Sequence, residues 1–283
     1  VRWEDWEADY SDSLQESFHP TDQMSGGKIS LIKSRLNGSS LYASVAKGYK
    51  QGGFNLGLGA NSTNNNLAYD PEFLTNYEIG INTKLLDSAI NFTGVLFYSD
   101  REDQQVLIST QTDPSDPNTF AFLTQNAAEG VNYGLEMKMD MDITESLGIF
   151  LNLGILKTEI QNWQSRKDLE GRAQAHAPER SYALGLKWLP ITNTYLAIDF
   201  TGKTSFYYSD SHNNISKSYT LTNLNLGYFK NKWNYEFWVR NLFDEYYALR
   251  GFYFGNEAPN FIDTLYERHG DPRHIGISVR YDF

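Results

Sequence analysis

The sequence predicts an all-β fold, an antiparallel transmembrane β-barrel, and three observations support this prediction. In the final segment, apolar and polar side chains alternate without a break, so that Ile275, Ile277 and Val279 share one side of an extended strand. This alternation recurs along nearly the whole chain. The connections between the alternating segments are short and long in turn, which is typical of outer-membrane barrels.

The alternating segments predict about eleven strands, or about twelve if residues 2–18 pair as well. There is no run of about 18 apolar residues, so the sequence excludes transmembrane helices. The strands with the clearest alternation are residues 29–36, 41–50, 77–85, 90–98, 131–141, 147–155 and 274–283.

Short connections join these strands in pairs. Asn37 and Gly38 give the strongest signal, because Asn-Gly is favoured in two-residue hairpin turns. The short connections are predicted at residues 37–38, 86–88, 144–146, 190–193 and 230–232.

Long connections alternate with the short ones. Residues 51–71 are rich in Gly and Asn, and the stretch from residue 99 to residue 130 is polar and contains Pro114 and Pro117. The long connections are predicted at residues 51–71, 99–130, 161–180, 209–216 and 241–273. In an antiparallel meander all the tight turns therefore lie at one end and all the long loops at the other.

Aromatic residues flank the short turns, as an interfacial girdle requires. Tyr281 and Phe283 end the last strand at the same level, and they are our candidates for a C-terminal signal for barrel assembly. The predicted girdle contains Trp188, Tyr195, Tyr228, Phe229, Trp233, Tyr235, Tyr281 and Phe283.

Composition excludes several classes of function. The 283 residues carry a formal net charge of −11, which argues against a nucleic-acid partner. The absence of cysteine excludes disulfides and thiolate metal sites. None of the five histidines lies in a metalloprotease spacing, and there is no G-x-S-x-G segment. We therefore expect neither an enzyme nor a bound metal or cofactor.

A soluble β-sandwich or β-helix is the alternative that periodicity alone leaves open, because charged residues alternate with apolar ones in those folds too. The regular alternation of short and long connections favours the membrane barrel. On that interpretation, charged residues on the polar side are expected to pair across the wall or to hold a plug. They are Glu78, Lys84, Glu136, Lys138, Glu236, Arg240 and Arg280.

Four segments stand out in the sequence. They are LYASVAKGYKQGGFN at residues 41–55, TNYEIGINTKLLD at 75–87, VRNLFDEYY at 239–247 and GDPRHIGISVRYDF at 270–283. In this order they resemble the C-terminal half of the barrel of TonB-dependent outer-membrane receptors, the transporters of ferric siderophores and other nutrients. The resemblance covers the chain from about Gly27 to the end.

This resemblance implies a 22-stranded barrel closed by an N-terminal plug in the outer membrane of a Gram-negative bacterium. Residues 1–283 would be the C-terminal part of the barrel domain, with the plug, the TonB box and the first strands outside this sequence. The implied partners are outer-membrane lipid, the TonB complex acting through the plug, and an iron chelate or other scarce nutrient as cargo.

A second interpretation remains open from the sequence. A sheet of about a dozen strands in lipid has two costly open edges, so the segment must close on itself or pair with other strands. A self-closed barrel of about twelve strands would be an autotransporter-type translocator or a small outer-membrane porin or enzyme.

Candidate cargo-binding residues lie in the long loops, where receptors capture ligands. They combine aromatic stacking surfaces with cationic side chains suited to carboxylates or catecholates. The candidates form three groups: Trp163, Arg166, Arg172, His176 and Arg180; Tyr207, Tyr208 and His212; and Arg250, Tyr253, Phe254, Tyr266 and Arg268.

Overall fold

A computed structural model describes residues 1–11, 17–55, 67–111, 120–163, 166–210, 212–255 and 257–283. Almost all regular structure in these ranges is antiparallel β-sheet, with one short 3-10 helix at Lys167–Leu169. No helix in the described part of the chain is long and apolar enough to span a membrane. The strands are β1 (Arg2–Glu7), β2 (Tyr10–Ser11), β3 (Ser17–Phe18), β4 (Thr21–Ser34), β5 (Ser40–Lys50), β6 (Gly53–Phe54), β7 (Ala68–Tyr69), β8 (Glu72–Leu85), β9 (Ile90–Gln111), β10 (Phe120–Thr144), β11 (Leu147–Asn162), β12 (Arg180–Trp188), β13 (Thr194–Lys203), β14 (Tyr219–Lys230), β15 (Trp233–Arg240), β16 (Ala248–Phe254), β17 (Thr264–His269) and β18 (His274–Tyr281).

Twelve of these strands form one sheet in the order β1-β4-β5-β8-β9-β10-β11-β12-β13-β14-β15-β18. This confirms the predicted all-β meander and its larger strand number, because β1 pairs with β4. Residues 12–16 of the predicted 2–18 pairing lie outside the described residues. Among the described strands, β1 and β18 stand at opposite ends of the sheet and the barrel is not closed. A self-closed barrel of about twelve strands is therefore not the arrangement that this chain shows.

The predicted apolar side of the last strand is confirmed by its pairing with β15. Ile277 lies opposite Phe237 and Val279 lies opposite Tyr235. Ile277 is 74% exposed although it is apolar, because none of the described strands forms a second layer over this side of the sheet. Such exposed apolar rows are what a lipid-facing barrel wall requires.

The other side of the sheet is polar and closely packed. The Trp238 ring leans across Gly276, whose Cβ, if present, would lie 2.1 Å from that ring. The indole N–H of Trp238 donates to Ser278 Oγ at 3.1 Å. Glycine at position 276 thus leaves room for an aromatic ring on the polar side.

Two of the charged residues predicted to pair across the wall or to hold a plug form ion pairs within their own segments. Lys138 pairs with Asp140 at 3.6 Å, and Arg280 pairs with Asp282 at 3.3 Å. Each acidic partner lies two residues further along the chain, where side chains of a strand share one face. Lys138 and Arg280 therefore pair within their own segments.

The two ends of the sheet differ as predicted. One end, which we call the turn end, carries tight turns such as Asn37-Gly38, where Gly38 has a φ of 80°. The other end, which we call the loop end, carries the long connections, and hairpins β2/β3, β6/β7 and β16/β17 lie within them. The alternation of short and long connections is therefore confirmed.

The predicted girdle at the turn end is correct for some rings and wrong for others. Trp233 and Tyr281 lie opposite each other with ring centroids 4.8 Å apart. Tyr195 and Phe229 instead lie on the polar side, where their rings are 5.8 Å apart and Tyr195 covers Gly227. Each of them lies one residue away from an apolar position of its strand, so its side chain lies on the polar side.

Strands β9 and β10 are much longer than the sequence predicts. The apolar alternation ends at Tyr98 and resumes at Val131, yet main-chain pairing continues to Gln111 opposite Phe120. Beyond the apolar wall both faces of a hairpin can be polar, so main-chain pairing continues although the sequence no longer alternates. The pairing includes register shifts between Asn126 and Gly130. Pro114 and Pro117 fall in residues 112–119, outside the described residues.

Candidate functional site

The loop end brings together side chains from distant connections. Residues 163–179 lead from β11 to β12, residues 204–218 lead from β13 to β14, and hairpin β16/β17 lies between β15 and β18. Contacts among these segments, rather than strand periodicity, fix the positions of the predicted site residues.

Arg172 ties the first two of these segments together. Its guanidinium forms an ion pair with Asp210 at 3.0 Å and donates to the carbonyl oxygens of Ser209 and His212 at 3.1 and 3.0 Å. It also lies over the Tyr207 ring, with Cζ 4.4 Å from the centroid. The side chain is only 9% exposed. Arg172 therefore organises the loops through its two terminal nitrogens, whereas its Nε is buried without a hydrogen-bond partner among the described residues.

His176 and Trp163 also belong to the loop end, where His176 is exposed and Trp163 is buried. The backbone N–H of His176 donates to the carbonyl oxygen of Tyr207 at 2.9 Å. Burial, with the nearby cations Arg250 and Lys203, lowers the pKa of His176. Trp163 is 1% exposed and packs in an apolar cluster with Val106, Ile160 and Leu169. In this structure Trp163 supports the loops and is not accessible to a ligand.

Tyr208 joins the connection at residues 204–218 to the β16/β17 hairpin. Its hydroxyl donates to the Glu267 carboxylate, and its ring covers Gly251 so closely that a Cβ there would lie 2.3 Å away. Burial raises the pKa of Tyr208. A glycine at position 251 is thus needed for the two segments to meet.

A cleft of about 370 Å³ lies between this assembly and the extended parts of β9 and β10. Leu107 and Phe122 contribute apolar side chains that are 62% and 67% exposed. None of the described residues that line the cleft is acidic. They are Leu107, Phe122, Tyr208, Ser209, His212, Arg250, Gly251, Phe252, Tyr253 and Phe254.

Arg250 is the cation of the cleft. Its guanidinium lies 5.8 Å from the Phe252 ring centroid, and within the described ranges no carboxylate approaches it within 4.0 Å. Arg268 stands opposite Arg250 on the paired strand, so both point to the same side of the hairpin. A guanidinium beside aromatic rings suits planar anionic groups, which it can bind through two parallel hydrogen bonds.

His212 adds a polar group to the same cleft. Its ring lies 5.7 Å from that of Tyr253. Burial first, and then the charge of Arg172, lowers the pKa of His212. Near neutral pH it is therefore an uncharged imidazole, whose Nδ1 accepts a hydrogen bond from the backbone N–H of Asn214 at 3.3 Å and which also hydrogen-bonds to the backbone of Gly251.

The remaining predicted residues lie around this cleft. Arg166 forms two hydrogen bonds with Asp168, both at 3.0 Å, and Arg180 is exposed at the start of β12, where its backbone pairs with Thr204. Tyr266 packs against Phe254 at 5.3 Å between centroids. The structure thus places Tyr208 and His212 of the second predicted group beside Arg250, Tyr253 and Phe254 of the third. Arg172 and Trp163 of the first group hold the loops in position.

Sequence reasoning missed Leu107, Phe122 and Phe252. The first two lie in the stretch interpreted as a loop, and no local pattern shows that β9 and β10 extend to them. Phe252 adjoins Tyr253 and Phe254, so its aromatic neighbours were a usable signal.

Comparisons with known proteins agree with this architecture. A family model described as TonB dependent receptor-like, beta-barrel matches residues 1–242. A probable TonB-dependent siderophore receptor, PiuA of Acinetobacter baumannii, is 31% identical over 132 residues, which are 46% of this chain and 16% of that protein.

Solved structures show the same fold. The ferric yersiniabactin uptake receptor FyuA from Yersinia pestis superposes with a TM-score of 0.76 at 18% identity, over 95% of this chain and 39% of that one. The siderophore receptor PiuA from Acinetobacter baumannii gives 0.74 at 18% identity, over 98% of this chain and 39% of that one. The chain therefore spans well under half the length of these relatives.

Proposed function

The chain belongs to the family of TonB-dependent receptor β-barrels, and from this premise we propose that it forms part of the wall and the ligand-capturing rim of an outer-membrane receptor. The complete receptor would take up a ferric siderophore or a similar scarce nutrient across the outer membrane of a Gram-negative bacterium. The relatives FyuA and PiuA, which are siderophore receptors, support this proposal.

The observation that carries the proposal is the cleft at the loop end. It combines exposed aromatic and aliphatic side chains with Arg250 and a neutral His212, and its described lining contains no carboxylate. A ferric chelate with aromatic or carboxylate donor groups presents both flat apolar surface and negative charge. Arg250 and the rings of Phe252 and Tyr253 match these two features.

In this proposal the chain performs no covalent chemistry. The β16/β17 hairpin and the extended β9/β10 hairpin hold the cargo by shape and charge, and the strands below form the wall of its path. Release would follow from movement of the plug, to which the TonB complex supplies energy from the inner membrane.

The test is uptake of radioactive iron by iron-limited cells that produce the complete receptor. We expect Arg250→Ala to weaken binding of the transported chelate by about 2 kcal/mol, or roughly thirtyfold, because a charge-assisted contact is lost. Arg166→Ala is the matched control, since that arginine is paired with Asp168 outside the cleft. Equal uptake by Arg250→Ala and the unmodified receptor across a panel of chelates would overturn the assignment of the cleft.

A further inference from the structure

One face of the β16/β17 hairpin carries two arginines side by side. Arg250 and Arg268 lie directly opposite each other on the paired strands, so their side chains share a face. Both residues are exposed, and among the described residues no carboxylate lies within 4.0 Å of either guanidinium. Like charges directly opposite each other destabilise a strand pair. The hairpin therefore retains a repulsion between two cations that a bound anion would relieve.

Aromatic rings form the next row on the same face. Phe252 lies opposite Tyr266, and the centroids of the Tyr266 and Phe254 rings are 5.3 Å apart. The Arg250 guanidinium lies 5.8 Å from the centroid of the Phe252 ring, so the row of arginines adjoins the row of rings. Phe252 is 46% exposed. The face thus offers a flat apolar surface directly beside two cations.

The nearby acidic residues lie away from the two arginines or have partners of their own. Glu267 is on the opposite face of the hairpin, where it accepts a hydrogen bond from a tyrosine of the neighbouring connection. Glu257 and Asp263 lie beyond the strand ends at the tip of the hairpin, so the rings separate them from the arginines. Asp210 is paired with Arg172. The positive charge of this face is therefore not neutralised from within the hairpin.

A catecholate is the chemical group that matches both rows. Its ring can stack on the exposed Phe252 ring in the offset manner of aromatic pairs. Its two adjacent oxygens are deprotonated when they bind iron, and they keep lone pairs that accept hydrogen bonds from guanidinium groups. An aliphatic carboxylate would use the arginines but not the rings, and a neutral hydroxamate complex has neither a ring nor a net charge.

We propose that this face of the β16/β17 hairpin recognises a catecholate arm of the ferric chelate. The catecholate ring stacks on Phe252, and Arg250 and Arg268 donate hydrogen bonds to its two oxygens. This inference rests on the proposed function and makes it more specific, because it selects dianionic aromatic groups from the wider class of iron-binding groups.

The experiment measures the binding of three ferric complexes to the complete receptor in detergent. Their ligands share one tripodal scaffold and carry three catecholate, three hydroxypyridinone or three α-hydroxycarboxylate arms. The first complex is aromatic with three negative charges, the second is aromatic and neutral, and the third has the same charges as the first but no rings. We expect the catecholate complex to bind roughly a hundredfold more tightly than the neutral one, because each arginine contributes about tenfold through a charge-assisted hydrogen bond. The α-hydroxycarboxylate complex should bind about fivefold less tightly than the catecholate complex, because it lacks the stacked ring.

Three variants separate the contribution of the arginines from that of the ring. Arg268→Gln should reduce the preference for the catecholate complex over the neutral one by about tenfold. Arg166→Gln is the control, because it removes a positive charge that is paired with Asp168 at the same end of the sheet, and it should keep the preference. Phe252→Leu should weaken the binding of both aromatic complexes alike.

Equal affinity of the unmodified receptor for the catecholate and hydroxypyridinone complexes would overturn the proposal, as would an unchanged preference in Arg268→Gln. Equal affinity for the catecholate and α-hydroxycarboxylate complexes would overturn it too, because the rings would then play no part. These results would leave the proposed function standing. That function fails, and this inference with it, if the complete receptor takes up no ferric chelate in the iron-uptake experiment.

Discussion

Aromatic residues are abundant at both ends of the sheet, but different forces position them. At the turn end, Trp233 and Tyr281 lie opposite each other on paired strands and remain exposed. At the loop end, Tyr208 is buried, its hydroxyl bonded to Glu267 and its ring against Gly251. The turn end is ordered by strand register and its rings stay exposed on the apolar side, whereas the loop end is ordered by specific side-chain contacts that shape a cleft.

This difference predicts that the loop end can be disrupted without loss of the barrel. The largest effect is expected for Arg172→Met, which leaves the largely buried Asp210 without its cation. Breaking such a pair from one side typically costs about 3 kcal/mol. We expect hydrogen exchange in residues 166–179 and 204–210 to accelerate by roughly a hundredfold, while strands β12 to β15 stay protected.

Arg166→Met is the control for that experiment, because Arg166 pairs with Asp168 at an exposed position of the same connection. The double variant Arg172→Met/Asp210→Leu should recover part of the loss, since the uncompensated carboxylate is then removed. Unchanged exchange in Arg172→Met would contradict the role of this arginine in joining the two loops.

The second largest effect is expected for Gly251→Val, which places a side chain where the Tyr208 ring now lies. Overpacking of this kind costs about 2 kcal/mol. Chelate binding by the complete receptor should weaken by roughly thirtyfold because the hairpin separates from residues 204–218. Gly48→Val is the matched control, since no heavy atom lies within 4 Å of a Cβ built at Gly48. Equal binding by both variants would argue against the Tyr208 contact.

A smaller effect is expected at the turn end, where a substitution should lower the stability of the barrel and leave chelate binding unchanged. Trp233→Ala removes a ring that contacts both Tyr281 and Tyr235. We expect a loss of about 1 kcal/mol in barrel stability, as aromatic pairs contribute. Heat-modified gel mobility should show earlier unfolding of the complete receptor, with chelate binding unchanged below the transition. A weaker affinity for the chelate would show that the two ends are not independent.

The sequence predicts the wall better than the site, for a physical reason. Apolar and polar side chains alternate because the two sides of each strand face different surroundings, so β18 and its neighbours can be predicted from residues 274–283 and the segments like them. The prediction for Tyr195 and Phe229 is wrong because it used their proximity to a turn and not the alternation, which decides on which side of the strand each side chain lies. Proximity to a turn does not determine the side of the sheet.

The cleft could be predicted only in part. Tyr208, His212, Arg250 and Tyr253 are evident as aromatic and cationic residues in long loops. Their assembly depends on contacts between segments that are distant in the chain, as between Tyr208 and Glu267. Leu107 and Phe122 were missed because alternation ends where β9 and β10 leave the apolar wall, although their main-chain pairing continues.

The smallest predicted effect is a pH dependence of the loop end. Burial lowers the pKa of His212 in the folded state below the value of about 6.5 in an unfolded chain. An opened loop therefore takes up a proton more readily than the folded one. The contribution of His212 is fully present above pH 6.5 and is lost as the pH falls through the lowered folded pKa. The protection of residues 212–218, which is the exchange rate relative to the intrinsic rate at the same pH, should fall between pH 7.5 and pH 5, and His212→Gln should reduce this fall.

The most direct test of the account is labelling of single cysteines in intact cells, since the chain has none of its own. Phe252→Cys lies in the cleft and Glu145→Cys lies in a tight turn at the opposite end. We predict that a membrane-impermeant maleimide labels Phe252→Cys from outside, that the transported ferric chelate slows this reaction, and that Glu145→Cys reacts only in permeabilised cells. Labelling of Glu145→Cys in intact cells, or a rate at Phe252→Cys that the chelate does not change, would contradict the account.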